Sequence, residues 1–124
     1  MGGPDGYTQT SSTLGAGGLV SSVLDMAKWD EALYGDQLLS EASKTIMWTP
    51  AVLPNGEDTG YAFGWSVAQY RGHRALGHNG QVAGFVASFV RLPDAEVALV
   101  VFANRYRSSS GQIRDIVAET FLPN

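Results

Sequence analysis

The sequence predicts an α+β fold: an antiparallel β-meander of about four strands, with helices before it and a C-terminal helix packed on the sheet. Three observations predict it. The apolar period switches from helical spacing to two at Tyr61. The strand-like runs that follow are joined by short connections, whereas parallel neighbours would need crossovers of roughly a dozen residues or more. A capping-box pattern then opens an apolar stripe at helical spacing near the C-terminus.

Residues 1–18 hold six of the fifteen glycines, with Pro4, serines and threonines and no apolar periodicity. They read as a flexible, glycine-rich lead-in, and residues 19–124 as the folded segment. The beginning looks like a cut edge. Ser22-x-x-Asp25 resembles a capping box, Met26, Trp29 and Leu33 follow at helical spacing, and Gly35 suits the end, so a helix is expected over about residues 22–34. A second, short helix should start at Ser40 and end near Thr49, because Pro50 disfavours helical geometry in the residue before it. Residues 51–60 are turn-rich loop.

From Tyr61 a strand is expected, with Tyr61, Phe63, Trp65 and Val67 on one bulky face. Arg71-Gly72 supplies a turn through which the chain returns from Arg74 to His78 as a hairpin partner. Phe85 to Leu92 reads as a third strand and Pro93-Asp94-Ala95-Glu96 as a turn. The continuous apolar run Val97 to Ala103 fits a strand covered on both faces, and is expected to lie centrally with helices against it. Ser109-x-x-Gln112 is a second capping-box pattern, and Ile113, Ile116, Val117 and Phe121 trace the stripe of the last helix.

Composition bounds the function. At 124 residues the chain is one domain or part of one, and 44% hydrophobic content fits a folded protein. A net charge of −4 with scattered arginines and lysines gives no footprint for nucleic acid. The absence of cysteine excludes disulfides, thiolate nucleophiles and Cys-based zinc sites, and leaves the compartment open. No apolar run approaches the roughly 18 residues of a membrane span, and Met1-Gly2-Gly3-Pro4-Asp5 lacks a signal-peptide pattern.

The most informative stretch is Leu76-Gly77-His78-Asn79-Gly80-Gln81-Val82-Ala83-Gly84-Phe85, which sets one histidine among three glycines. Glycines within a strand mark a place where a ligand or another backbone lies alongside, and imidazole there can orient a substrate or support an acid/base step. The same glycines also fit a plain hairpin with His78 as a half-exposed strand residue. Composition alone ranks that reading first.

Other chemistries find less support. His73 and His78 are five apart and point to opposite faces of one strand, which disfavours a shared metal. Asp94 and Glu96 fall in a turn, and Asp25, Asp30 and Glu31 on a helix whose polar face is solvated surface. Trp29, Trp48 and Trp65, with Tyr61 and Phe63, read as core packing rather than a platform for sugars or bases. Gly15-Ala16-Gly17-Gly18 lacks the Gly-Lys-Ser/Thr ending of a phosphate loop. There is no Gly-x-Ser-x-Gly elbow and no Ser-x-x-Lys, since Asp25 and Glu41 stand three before Lys28 and Lys44.

The order of pieces carries a resemblance. Gly15 to Ser22 leading into Asp25-Met26-Ala27-Lys28-Trp29, then Tyr61-Ala62-Phe63-Gly64-Trp65, then Gly77-His78-Asn79-Gly80 with Gly84-Phe85, then Val100-Val101-Phe102-Ala103-Asn104, resembles the C-terminal part of serine β-lactamase-like hydrolases. That family includes class C β-lactamases, DD-peptidases and related esterases. The match is collinear from about Gly15 to the end and implies a partial β-lactamase/transpeptidase-like fold, with acyl transfer to serine then hydrolysis in the parent, and no metal or organic cofactor. His78-Asn79-Gly80 looks like the family's third motif. By resemblance, His78 would hydrogen-bond near the tyrosine and nucleophile, and Asn79 would meet polar groups of the substrate. Gly80 would let substrate backbone run beside the strand, and the Gln81 N–H would supply half of the oxyanion hole.

Asn79 stands where the lactamase version has threonine, which leans towards an esterase or peptidase-like member. Tyr106-Arg107-Ser108 matches Tyr-x-Ser only by letters, at the wrong place in the order. The resemblance thus implies a nucleophile in a region before Met1, a fragment inactive alone, and a parent exported in bacteria. It also implies that Val97 to Ala103 exposes an edge or face through which the isolated chain would dimerise. The rival expectation is a non-catalytic module that offers the same strand to a peptide or partner chain.

Overall fold

Ser22 and Ser40 set where two of the helices begin. In the computed structural model, which describes residues 14–82, 84–105 and 108–122, a single turn α1 (Leu14–Gly17) precedes α2 (Val23–Ala32), whose first turn is capped by the Ser22 hydroxyl accepting from the Asp25 N–H at 3.1 Å. Ser40 caps α3 (Glu41–Met47) in the same way, accepting from the Ser43 N–H at 3.2 Å. Both helices lie where the spacing predicts. Leu14–Gly17, expected as part of the loop-like lead-in, are helical instead, and residues 1–13 lie outside the described residues.

Four described strands, β1 (Ser66–Tyr70), β2 (His73–Val82), β3 (Phe85–Leu92) and β4 (Val97–Ala103), form one antiparallel sheet in sequential order. Helix α4 (Ser110–Phe121) follows. The fold is therefore α+β, as expected. Arg71 (φ 49) and Gly72 (φ 82) close the β1–β2 hairpin with left-handed backbone at both loop positions, the twist that a two-residue hairpin favours.

The register sorts the side chains. Ala75, Ser88, Leu92 and Leu99 face α4, where Ala75, Leu92, Leu99, Ala118 and Leu122 make the apolar core. On the opposite face Leu76, Phe89 and Arg91 lie towards α2, α3 and the following loop, with Trp65 edge-on to Trp48 at 6.0 Å between ring centroids and 5.9 Å from Phe89. Arg91 is the centre of this second layer. It is 1% exposed, its Nε lies 2.8 Å from Asp30 Oδ1, and its guanidinium sits 4.5 Å from the Tyr34 ring and 5.2 Å from that of Trp48. Buried Lys44 donates to the carbonyls of Leu33 and Gly35 and pairs with Glu41, tying α3 to the end of α2.

Other expectations are corrected. The first strand starts at Ser66, not Tyr61. Gly60 (φ 63) and Gly64 (φ 75) adopt left-handed backbone that breaks any ladder, and the Ala62 N–H donates to the Trp65 carbonyl at 2.8 Å, so the apparent alternation belongs to a turn. Phe63 is accordingly 72% exposed, and Tyr61 and Trp29 are also exposed, so that of the five aromatics only Trp48 and Trp65 pack inward.

β4 is an edge strand among the described residues, not a central one. A continuous apolar run reports cover on both faces, which α2 and α4 provide, and carries no information on what lies beside the strand. Helix α4 turns Ser110, Arg114, Ala118 and Leu122 to the sheet and leaves Ile113, Ile116, Val117 and Phe121 exposed, with no side-chain cap from Ser109. Small Ala118 lets the helix axis come close, and Arg114 reaches Ser88 at 3.4 Å. Lastly, Asp30 is buried against Arg91 rather than solvated.

Candidate functional site

The three glycines of the 77–84 stretch answer three different requirements. A Cβ on Gly77 would lie 2.3 Å from the Phe89 carbonyl oxygen, so this glycine admits the neighbouring backbone of β3. Gly84 (φ 83) turns β2 into β3. Gly80 has no such internal reason: its nearest neighbour would be the Ala87 Cβ at 3.7 Å, an ordinary contact.

That freedom coincides with an open edge. β1 begins only at Ser66, which pairs with Gly77, so from His78 to Val82 the β1-side edge of β2 has no strand partner among the described residues. On the other side the same residues are held in register by β3, from His78 opposite Phe89 to Val82 opposite Phe85. The result is a rigid strand with one row of backbone groups available, as strand addition requires.

The four residues singled out in the sequence are all on this segment, with their side chains divided by the strand's period of two. Asn79, Gly80 and Gln81 line a cleft of about 440 Å³ shared with Val86 and Ser108 to Gln112 at the start of α4. His78 is directed to the other face. There the Tyr61 hydroxyl lies 3.1 Å from His78 Nε2, the two rings meet edge to face at 5.7 Å, and His78 Nδ1 is 2.5 Å from the Asn79 carbonyl oxygen. Sequence reasoning missed Tyr61, because it placed the residue on a strand. The glycines at 60 and 64 were the available sign of a turn that could bring it back.

His73 pairs with Tyr70 at the far end of β2, on the face opposite to His78. Among the described residues no three His, Asp or Glu side chains stand close enough to hold a metal ion, and no helix is long and apolar enough to cross a membrane.

A model of the Beta-lactamase family matches residues 1–120. The chain belongs to the beta-lactamase family. This beta-lactamase-family chain is 35% identical over 91 residues to penicillin-binding protein 4* of Bacillus subtilis (strain 168), covering 71% of the chain and 20% of that protein. It is 32% identical over 103 residues to the unguisins hydrolase ungD' of Aspergillus campestris (strain IBT 28561), covering 77% of the chain and 19% of the relative. The similar hydrolase ungD of Aspergillus violaceofuscus (strain CBS 115571) is 30% identical over 120 residues, 78% of the chain and 21% of the relative. The chain thus spans about a fifth of the length of these curated relatives. No solved structure gives a significant match.

Proposed function

We propose that this chain is the C-terminal wall of an acyl-serine hydrolase site, with the nucleophile and its base supplied by sequence outside these 124 residues. The observation that carries the reading is the open β2 edge at His78-Asn79-Gly80-Gln81, held rigid by β3 in a member of this family. In the complete site a serine hydroxyl attacks the substrate carbonyl while a base takes its proton, the leaving group departs with a proton, and water then releases the acid. The Gln81 N–H would donate to the oxyanion of each tetrahedral intermediate. Asn79 would bond polar groups of the substrate, and Gly80 would let its backbone approach. Asn79 in place of threonine favours an ester or peptide-like acyl substrate over a β-lactam. Two of the relatives are named unguisins hydrolases, which supports a hydrolytic reaction, and the third a penicillin-binding protein, which makes a β-lactam probe a direct test of the preference.

The reading makes the isolated chain inactive, since binding and one oxyanion donor do not replace a nucleophile and its base. It is tested with a fluorescent β-lactam or fluorophosphonate probe, on this chain and on the reading frame extended upstream. Labelling of the longer protein alone, at a serine in Ser-x-x-Lys, is the expected result. Labelling of neither, with no such motif upstream, replaces the hydrolase by a non-catalytic module that binds a peptide at the same edge.

The outer edge of β4, which has no strand partner among the described residues, and the exposed stripe Ile113, Ile116, Val117 and Phe121 support self-association of the chain when it is alone. A monodisperse monomer that binds no hydrophobic dye would remove that part of the proposal.

A further inference from the structure

We infer that Tyr61 is a positioning residue for His78: the Asn79 carbonyl fixes the imidazole in the Nδ1–H tautomer, and the Tyr61 hydroxyl donates to Nε2 and holds the ring in that orientation. A carbonyl oxygen only accepts, so the Asn79 carbonyl 2.5 Å from Nδ1 requires the hydrogen on that nitrogen. Nε2 of the neutral ring then carries a lone pair. The Tyr61 hydroxyl, 3.1 Å away, donates to it. The Asn79 carbonyl sets the tautomer, and the Tyr61 hydroxyl, which can donate or accept, donates to the lone pair that this tautomer leaves on Nε2.

The backbone holds Tyr61 in place for this. Its carbonyl accepts from the Ala51 N–H at 2.9 Å, its N–H donates to the Thr59 hydroxyl at 3.2 Å, and it bridges Ser66, which is paired with Gly77, the residue before His78. The turn through Gly64 brings Tyr61 opposite Ser66, whose partner Gly77 is one residue from the histidine.

The catalytic consequence rests on the proposed site; the tautomer does not. With its hydrogen given to Nε2, the phenolic oxygen keeps its lone pairs for an O–H or N–H entering along the open edge. A proton taken up by that oxygen is matched by transfer of its own to Nε2, so that neutral tyrosine and imidazolium result and the charges balance. His78 would then act through Tyr61.

The test begins with this chain carrying ¹⁵N-labelled histidine, read by two-bond nitrogen–proton correlation spectra. The wild type is expected to show a protonated Nδ1 and a bare Nε2 at His78. Tyr61→Phe keeps the ring and removes only the hydroxyl; it should leave Nδ1 protonated by virtue of the Asn79 carbonyl but move the Nε2 nitrogen resonance, which loses its hydrogen-bond donor, with the backbone amide spectrum otherwise unchanged. A wild-type Nε2–H tautomer, or a pattern that Tyr61→Phe does not alter, overturns the assignment.

In the longer protein, Tyr61→Phe should slow acylation by roughly tenfold or more with little change in KM. An unchanged acylation rate overturns the relay. Absence of acylation in the unmutated longer protein defeats the hydrolase reading alone, because the spectra decide the tautomer separately.

Discussion

The Phe89 carbonyl oxygen occupies the space a side chain at Gly77 would need: a Cβ there would come within 2.3 Å of it and 2.9 Å of the Val90 Cα. Both are backbone atoms, so neither can swing away. Gly77→Ala should therefore destabilise the chain by about 3 kcal/mol or more, at or beyond the upper end for overpacking. Chemical denaturation followed by tryptophan fluorescence measures it, and a variant within 1 kcal/mol of wild type, roughly the spread of a tolerated swap, would contradict the packing.

Gly80→Ala makes the contrasting case. Its Cβ would meet only Ala87 at 3.7 Å, so the fold and the melting temperature should hold. On the proposed reading, acylation by the protein extended upstream should nonetheless fall about tenfold to a hundredfold, because a methyl group at Gly80 would displace a substrate backbone running beside the strand. Unchanged kinetics would show that nothing runs beside this strand.

Arg91 and Asp30 are expected to depend on each other. Arg91→Met or Asp30→Leu alone leaves a buried charge without its counterion, at a cost of about 3–5 kcal/mol. The double variant should recover much of that loss. Urea titrations of the four proteins give the coupling, and simple addition of the two single effects would show that the 2.8 Å ion pair is energetically unimportant.

Burial pushes the Asp30 carboxyl above its ordinary value of 3.8, and the Arg91 charge only partly offsets this. A carboxyl raised in the folded state contributes stability below the unfolded value that is lost as pH climbs through the folded value. The penalty of Asp30→Asn should thus be larger near pH 3.8 than at neutrality. Asp25 has the opposite sign: the Lys28 ammonium and then the Ser22 hydroxyl lower it, so its contribution is present above 3.8 and fades in acid. Stability measured against pH for Asp30→Asn and Asp25→Asn should give difference curves of opposite slope.

Glu96 turns the chain into β4 with φ 53, a left-handed conformation that an ordinary side chain resists. Glu96→Asn should raise stability by roughly 0.5–1 kcal/mol, because asparagine tolerates this backbone. A lower denaturation midpoint would mean that the glutamate side chain holds the turn.

Much of this was legible in the residues. The bounds of β3 and β4 follow from Gly84, Pro93 and the apolar runs, and the starts of α2 and α3 from Ser22 and Ser40. Hidden features were those decided by the third dimension. Gly64 reads as a small residue in an alternating strand until its φ of 75 makes it a turn. Ala118 gives no sign that the helix will bury it in preference to Ile113 or Phe121. Arg91 looks like a solvent-facing strand residue and Asp30 like a polar helix face; only their meeting makes both core. At the candidate site His78, Asn79, Gly80 and Gln81 could be named from sequence, whereas Tyr61 is seventeen residues away and reaches His78 through a turn that periodicity does not report.

The sheet has two margins of different character. On one, the groove of about 420 Å³ beside β4 is lined by Val97, Leu99, Val101, Val117 and Phe121; on the other, β2 has no strand partner from His78 to Val82 among the described residues. Between them lie β3 and its two ladders of hydrogen bonds. A segment that docks along β4 enlarges the sheet without crowding the histidine strand, and a guest bound at β2 asks nothing of β4. On the proposed reading assembly and reception would be separable, and a substitution that solubilises one margin would leave the other free to work.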